Sequence, residues 1–131
     1  MVGPMARPLF REMAAEDGEP TLGPEDLGVR VGTDITPNGA GEVLTESGGM
    51  SVAPDDPFNL HRIHRPPSLG GTGTKPVWEI SVHVISSPLT YRPDPRRPDK
   101  HGLVEPDAKV SLASYIAALE ATVSDWVLAG A

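Results

Sequence analysis

An arginine inside an apolar segment, a serine behind paired glycines and a glutamate held before a proline are the residues of this chain whose types could do chemistry. Arg11 stands in Pro8-Leu9-Phe10-Arg11-Glu12-Met13. A guanidinium among apolar neighbours must reach a charge or water. As a fork donor it suits a phosphate or a carboxylate; on an edge strand it is simply solvated. Ser51 follows Gly48-Gly49-Met50. Such glycines let a ligand approach the backbone, or they only turn the chain. Glu105 ends Gly102-Leu103-Val104-Glu105 before Pro106. Facing a cleft, a carboxylate there can stabilise a developing cation or hold a ribose hydroxyl; facing solvent it does neither.

Other constellations fall short of their templates. Gly70-Gly71-Thr72-Gly73-Thr74-Lys75-Pro76 lacks the GxxxxGK[ST] spacing of a phosphate cradle, and proline stands where the hydroxyl belongs. His61 and His64 form H-x-x-H with no third ligand at a recognisable spacing, so no metal site is assigned. Gly49-Met50-Ser51-Val52-Ala53 approaches the nucleophile elbow GxSxG but ends in alanine, which argues against a serine hydrolase. His83 falls on the polar side of a strand, and His101 reads as a polar loop residue.

The elements that must position these residues are short. The chain has 131 residues, enough for one domain with one modest core. Glycine (14) and proline (15) are abundant without a period, which excludes collagen and points to a loop-rich fold. With no cysteine, neither disulfides nor thiolate-bound zinc can hold it. No apolar run approaches a membrane span, and the N-terminus shows no signal-peptide core. Net charge is −7. Residues 1–60 hold three basic and eleven acidic side chains, whereas 61–100 hold seven basic and three acidic ones. The overall field is wrong for nucleic acid; the local basic segment is either a solvated loop or a place for a small phosphate-bearing molecule.

Pro8–Met13 reads as a strand, Glu16–Asp26 as an acidic connection, Leu27–Val31 as a second strand and Thr33-Asp34-Ile35 as a turn. Residues 36–47 read as loop, Gly49–Ala53 as a short strand, and 54–76 as a long loop of the kind that is functional or disordered. Val77–Ile85 alternates and reads as the strongest strand, with Leu89-Thr90-Tyr91 pairing beside it. Pro93–Lys100 is a polar loop, and Gly102–Glu105 a further strand. Ser111 is a plausible cap for a helix whose apolar residues recur from Leu112 through Trp126 and Val127, ended by Gly130. Many short strands and one late helix give α+β.

Taken in order, LFR (Arg11), GGMS (Ser51) and HGLVEP (Glu105) resemble the arginine–serine–glutamate order of ADP-ribosyltransferases. With LGVR, VWEI and SYIAALEATVSDW added, residues 7–127 are similar to the small Tse-type toxin domain of type VI secretion effectors, which has a compact ADP-ribosyltransferase-like fold. The resemblance implies an NAD-consuming toxin that transfers ADP-ribose to an unidentified acceptor or hydrolyses NAD. It implies that Arg11 contacts NAD phosphate or ribose, that Ser51 supports the nicotinamide-ribose pocket and orients the glutamate, and that Glu105 stabilises the oxocarbenium-like transition state, as a carboxylate does in glycoside hydrolysis. Gly48, Gly49, Arg30 and His101 complete the implied NAD-binding set. It further implies a cytoplasmic site of action, delivery by a secretion system, a neutralising immunity protein, and no membrane association. Leu103, two residues before Glu105, departs from arginine-modifying members, which carry an acid there; modification of a protein arginine is therefore disfavoured. The first strand has no histidine, so the diphtheria-like pattern does not fit.

A reading of another class is an interaction domain without catalysis, binding a protein through the 54–76 and 92–100 loops. It predicts that Glu105→Ala is silent and that changes at Arg62/Arg65 or Arg96/Arg97 are not. The enzymatic reading predicts that Glu105→Ala removes turnover and leaves the fold intact.

Overall fold

Leu9, Val52, Trp78, Ile80 and Val104 are apolar residues spaced at twos within short segments. In a computed structural model, which describes residues 7–21 and 35–130, they all face one core. The strands that carry them are β1 (Pro8–Glu12), β5 (Met50–Pro54), β6 (Val77–Ser81) and β8 (Gly102–Pro106). With β7 (Leu89–Pro93) and β10 (Val127–Gly130) they form a six-stranded antiparallel sheet in the order β10-β6-β1-β5-β8-β7. Two further pairs are small: β2 (Ala15–Glu16) with β3 (Glu19–Pro20), and β4 (Glu42–Val43) with β9 (Val110–Ser111). The protein is α+β, mostly antiparallel sheet with one α-helix among the described residues, α1 (Leu112–Glu120).

Ser111 caps α1, its hydroxyl accepting from the Ser114 amide at 3.1 Å. Tyr115 and Leu119, four residues apart, bury against the sheet. Among the described residues no helix is long and apolar enough to cross a membrane.

Several elements differ from their sequence expectation. Leu89-Thr90-Tyr91, expected beside Val77–Ile85, instead pairs with β8 and is separated from β6 by β1, β5 and β8, because the hairpin through residues 94–101 brings β7 and β8 together. The helix stops at Glu120, although its apolar period runs on to Val127. Beyond it the Thr122 hydroxyl bonds back to the Leu119 carbonyl and accepts from the Trp126 indole at 3.0 Å. That local network turns the chain, and Val127 onward joins the sheet edge instead. The strand expected over Val77–Ile85 ends at Ser81, whose hydroxyl caps a 3-10 turn at Val82–Val84. The loop 54–76 is built of three successive 3-10 turns, at Pro57–Asn59, Arg62–His64 and Pro67–Leu69. The strand expected at Leu27–Val31 lies outside the described residues.

The paired glycines now have a local cause. A Cβ on Gly49 would stand 2.8 Å from the Val104 carbonyl oxygen and 2.9 Å from the Tyr115 hydroxyl, and its φ of +157° lies where side chains are strained. The close approach is thus between parts of this chain. Tyr115 reaches into the same spot. Its hydroxyl donates to the Val104 carbonyl at 2.5 Å and accepts from the Met50 amide at 3.1 Å, joining two residues that are register partners in β5 and β8.

Burial raises the Tyr115 pKa to about 12. A phenol whose folded pKa exceeds its unfolded value contributes stability that is whole below the ordinary tyrosine range and lost as pH rises through the folded value. Burial raises Tyr91 as well. The chain has two tyrosines, so an absorbance titration should show both ionising above the ordinary tyrosine range, with Tyr115 ionising near pH 12 as the fold is lost. Tyr115→Phe strips a partner from a buried amide and a buried carbonyl. It should lower stability by about 2 kcal/mol in denaturant melts.

Candidate functional site

β7 and β8 are the two arms of a hairpin in which Pro93 pairs with Gly102. The loop 94–101 therefore brings its first and last residues together. Asp94 accepts from the Arg96 amide at 2.9 Å through one carboxylate oxygen, and its own amide bonds the His101 carbonyl at 3.0 Å. The other carboxylate oxygen lies 2.9 Å from His101 Nδ1. The Arg96 amide, then His101, hold the Asp94 carboxyl below the ordinary carboxylate range, so it is an anion at neutral pH.

The next strand supplies the third group. Ser51 on β5 pairs with Leu103 on β8. His101, two residues before Leu103, is its diagonal neighbour on the same face. The Ser51 hydroxyl lies 2.5 Å from His101 Nε2. A hydrogen-bonded chain Ser51–His101–Asp94 results, with the histidine between a hydroxyl on one ring nitrogen and a carboxylate on the other. With Nδ1–H donating to the Asp94 carboxylate, the Nε2 lone pair faces the serine hydroxyl.

The chain of three opens into a cleft of about 250 Å³. One wall is β5 from Ser51 to Ala53; another is the 54–76 loop, through Asn59, His61 and His64; the third is the 94–101 loop, through Arg97 and Lys100. The loops are pinned to each other and to the sheet. Asn59 donates to the Pro54 carbonyl at 2.8 Å and to the Asp99 carbonyl at 3.1 Å. Arg7 donates to Asp55 at 2.8 Å and to the Pro98 carbonyl at 3.3 Å.

The residues singled out in the sequence fall into two groups. Ser51 and His101 come together in the cleft. Arg11 lies on the neighbouring strand opposite Trp78, and its guanidinium donates to the Ser51 carbonyl at 2.8 Å. Glu105 is elsewhere. Alternation puts it on the same face as Ser51, on the other diagonal from His101, but its carboxylate is 3% exposed. One oxygen accepts from Arg92 Nε at 2.9 Å and the other from the Glu46 amide at 2.9 Å. It ties the 44–47 loop to the hairpin. Gly48 pairs with Ile35 in an isolated bridge, and Gly49 is occupied by Val104 and Tyr115. Arg30 lies outside the described residues.

The glycines of 70–73 likewise serve their own loop. The amides of Gly71, Thr72 and Gly73 donate to the carbonyls of Pro66, Arg62 and Arg65. His61 accepts from the Ile63 amide and His64 bonds Glu12 at 2.5 Å. Asp94 is the residue that sequence reasoning passed over. Its signal was its place: the first residue of a hairpin loop whose last residue is histidine. Ser51 lies within strand β5 and not at a strand-to-helix turn, so the GxSxG elbow is not the geometry here.

Comparison with protein-family models finds no match, and neither the curated proteins nor the solved structures contain one.

Proposed function

We propose that this protein is a hydrolase of ester or amide bonds with Ser51 as nucleophile, His101 as general base and Asp94 as the carboxylate that orients it. The observation that carries this reading is the continuous chain from Ser51 Oγ through both ring nitrogens of His101 to Asp94, open to a cleft. That arrangement is recognised by geometry and role on unrelated folds. His101 takes the Ser51 proton as Oγ bonds to the carbonyl carbon. The imidazolium then returns that proton to the leaving group as its bond to carbon breaks. Water, deprotonated by the same nitrogen, attacks the acyl-serine, releases the acid and restores the Ser51 proton. Asp94 stays ionised and stabilises the imidazolium. Hydrolysis of p-nitrophenyl esters by the purified chain tests this. Turnover that vanishes in Ser51→Ala supports it, and turnover equal in both proteins refutes it.

A second reading rests on a different observation. Arg11, Ser51 and Glu105 lie on the neighbouring strands β1, β5 and β8, and Arg11 bonds the Ser51 carbonyl. That is the order expected for an ADP-ribosyltransferase-like fold, with NAD as cofactor, nicotinamide as leaving group and a neutralising protein as partner. It requires Glu105 to exchange Arg92 and the Glu46 amide for a ribose hydroxyl. Nicotinamide release from NAD, lost in Glu105→Gln with the melting curve preserved, would favour it over the first.

A further inference from the structure

Among the described residues no carboxylate lines the cleft beside Ser51, in a chain with 18 acidic residues and a net charge of −7. Its lining includes Arg97, Lys100, His61, His64 and His101. Several acids on the segments around it are held by other groups. Asp94 is held by His101 and the Arg96 amide, Glu12 by His64, and Asp55 by Arg7. Asp56 caps the Phe58 amide at 2.8 Å. Arg97 keeps 64% of its side chain exposed, with its Nε 3.9 Å from Asp94, too far for a hydrogen bond. Lys100 and Arg97 sit on one side of the opening, and the two histidines of the 54–76 loop on the other.

A concave site lined by one sign of charge concentrates ligands of the opposite sign. Arginine also presents a fork that fits a carboxylate or a phosphate. Resting on the Ser51 reading, we infer that the substrate is an anionic ester or amide, with its negative charge on the acyl or the leaving-group side, held by Arg97 and Lys100 while the carbonyl meets Ser51. This is also why the loop 94–101 places Arg97 and Lys100 beside Asp94 and His101. One pinned loop delivers the base, its orienting acid and the substrate's counter-charge.

Two measurements on the full chain test this. The first compares p-nitrophenyl glutarate half-ester with neutral p-nitrophenyl pentanoate, and 4-acetoxybenzoate with phenyl acetate. At low salt, kcat/KM should favour at least one anionic partner by roughly tenfold, as two charge-assisted contacts allow. The preference should shrink in about 0.5 M salt and fall towards unity in R97Q/K100Q. Equal or better use of both neutral esters overturns the inference, as does a preference that survives R97Q/K100Q. The second measures binding of the same four compounds to Ser51→Ala by calorimetry, where no turnover is needed. Tighter binding of an anionic compound, weakened in the S51A/R97Q/K100Q chain, supports anion selection even if Ser51 proves not to be a nucleophile. Binding that ignores charge overturns it. Absence of hydrolysis of all four esters by the wild-type chain counts against the Ser51 reading instead, so the two failures are separate.

Discussion

Ester hydrolysis by the Ser51→Ala chain is expected to fall roughly ten-thousandfold, to the level left by cleft binding alone. Ser51 is exposed, so its truncation should leave stability within about 0.5 kcal/mol of the parent. His101→Ala should cost nearly as much activity, and the double variant little more than either single one, because a nucleophile and its base act as a unit. Asp94→Asn should also impair turnover, by on the order of a thousandfold. The carboxamide can present an N–H to Nδ1, which leaves the Nε2 proton facing the serine. A loss in kcat with KM nearly preserved is the pattern expected of all three. Initial rates on a p-nitrophenyl ester, beside melting curves of each variant, decide the matter.

The second large effect is on stability. Glu105→Ala removes the carboxylate that answers both Arg92 and the Glu46 amide at the inner end of the hairpin. Removing the buried partner of a hydrogen-bonded ion pair whose other member is partly exposed should cost about 3 kcal/mol, the low end for buried pairs. That is a large share of the 5–15 kcal/mol that typically holds a domain. Arg92→Ala should do comparable damage by leaving the Glu105 carboxylate buried without its cationic partner. The double variant should be less destabilised than the sum of the singles, since both remove one interaction. Denaturant unfolding followed by circular dichroism measures this. The outcome also separates the two functional readings. Glu105 as an anchor predicts a less stable protein that still hydrolyses esters while folded. Glu105 at an NAD site predicts an intact fold with nicotinamide release abolished.

Much of the frame was legible in the residues. Leu9 and Phe10 before Arg11, the Trp78/Ile80 alternation and the Gly102–Glu105 run each marked a real strand, because apolar spacing and bounding prolines act locally. Ser111 was legible as a cap for the same reason. What a single sequence does not carry is pairing. That β5 lies against β8 is decided by which faces share a core, and only this register makes Ser51 the diagonal neighbour of His101. Asp94 was hidden inside PDPRRPDK, a stretch whose composition says only polar loop. Its meaning comes from the hairpin that folds residue 94 onto residue 101. The same gap governed Glu105 and Gly49. Their types and neighbours suggested a ligand, whereas each was answered by the chain itself: Glu105 by Arg92 and an amide, Gly49 by Val104 and Tyr115. The helix end was misplaced because the apolar period continued while Thr122 and Trp126 turned the backbone away.

A fluorophosphonate probe offers the most direct test of the serine reading, because it phosphonylates a hydroxyl whose proton a neighbouring base removes and leaves unactivated serines untouched. The folded wild-type chain should take up one equivalent, and peptide mapping should place it on Ser51. Labelling should disappear in His101→Ala and in the denatured chain. A folded wild-type protein that stays unlabelled, or one labelled at Ser51 equally well without His101, would contradict the account.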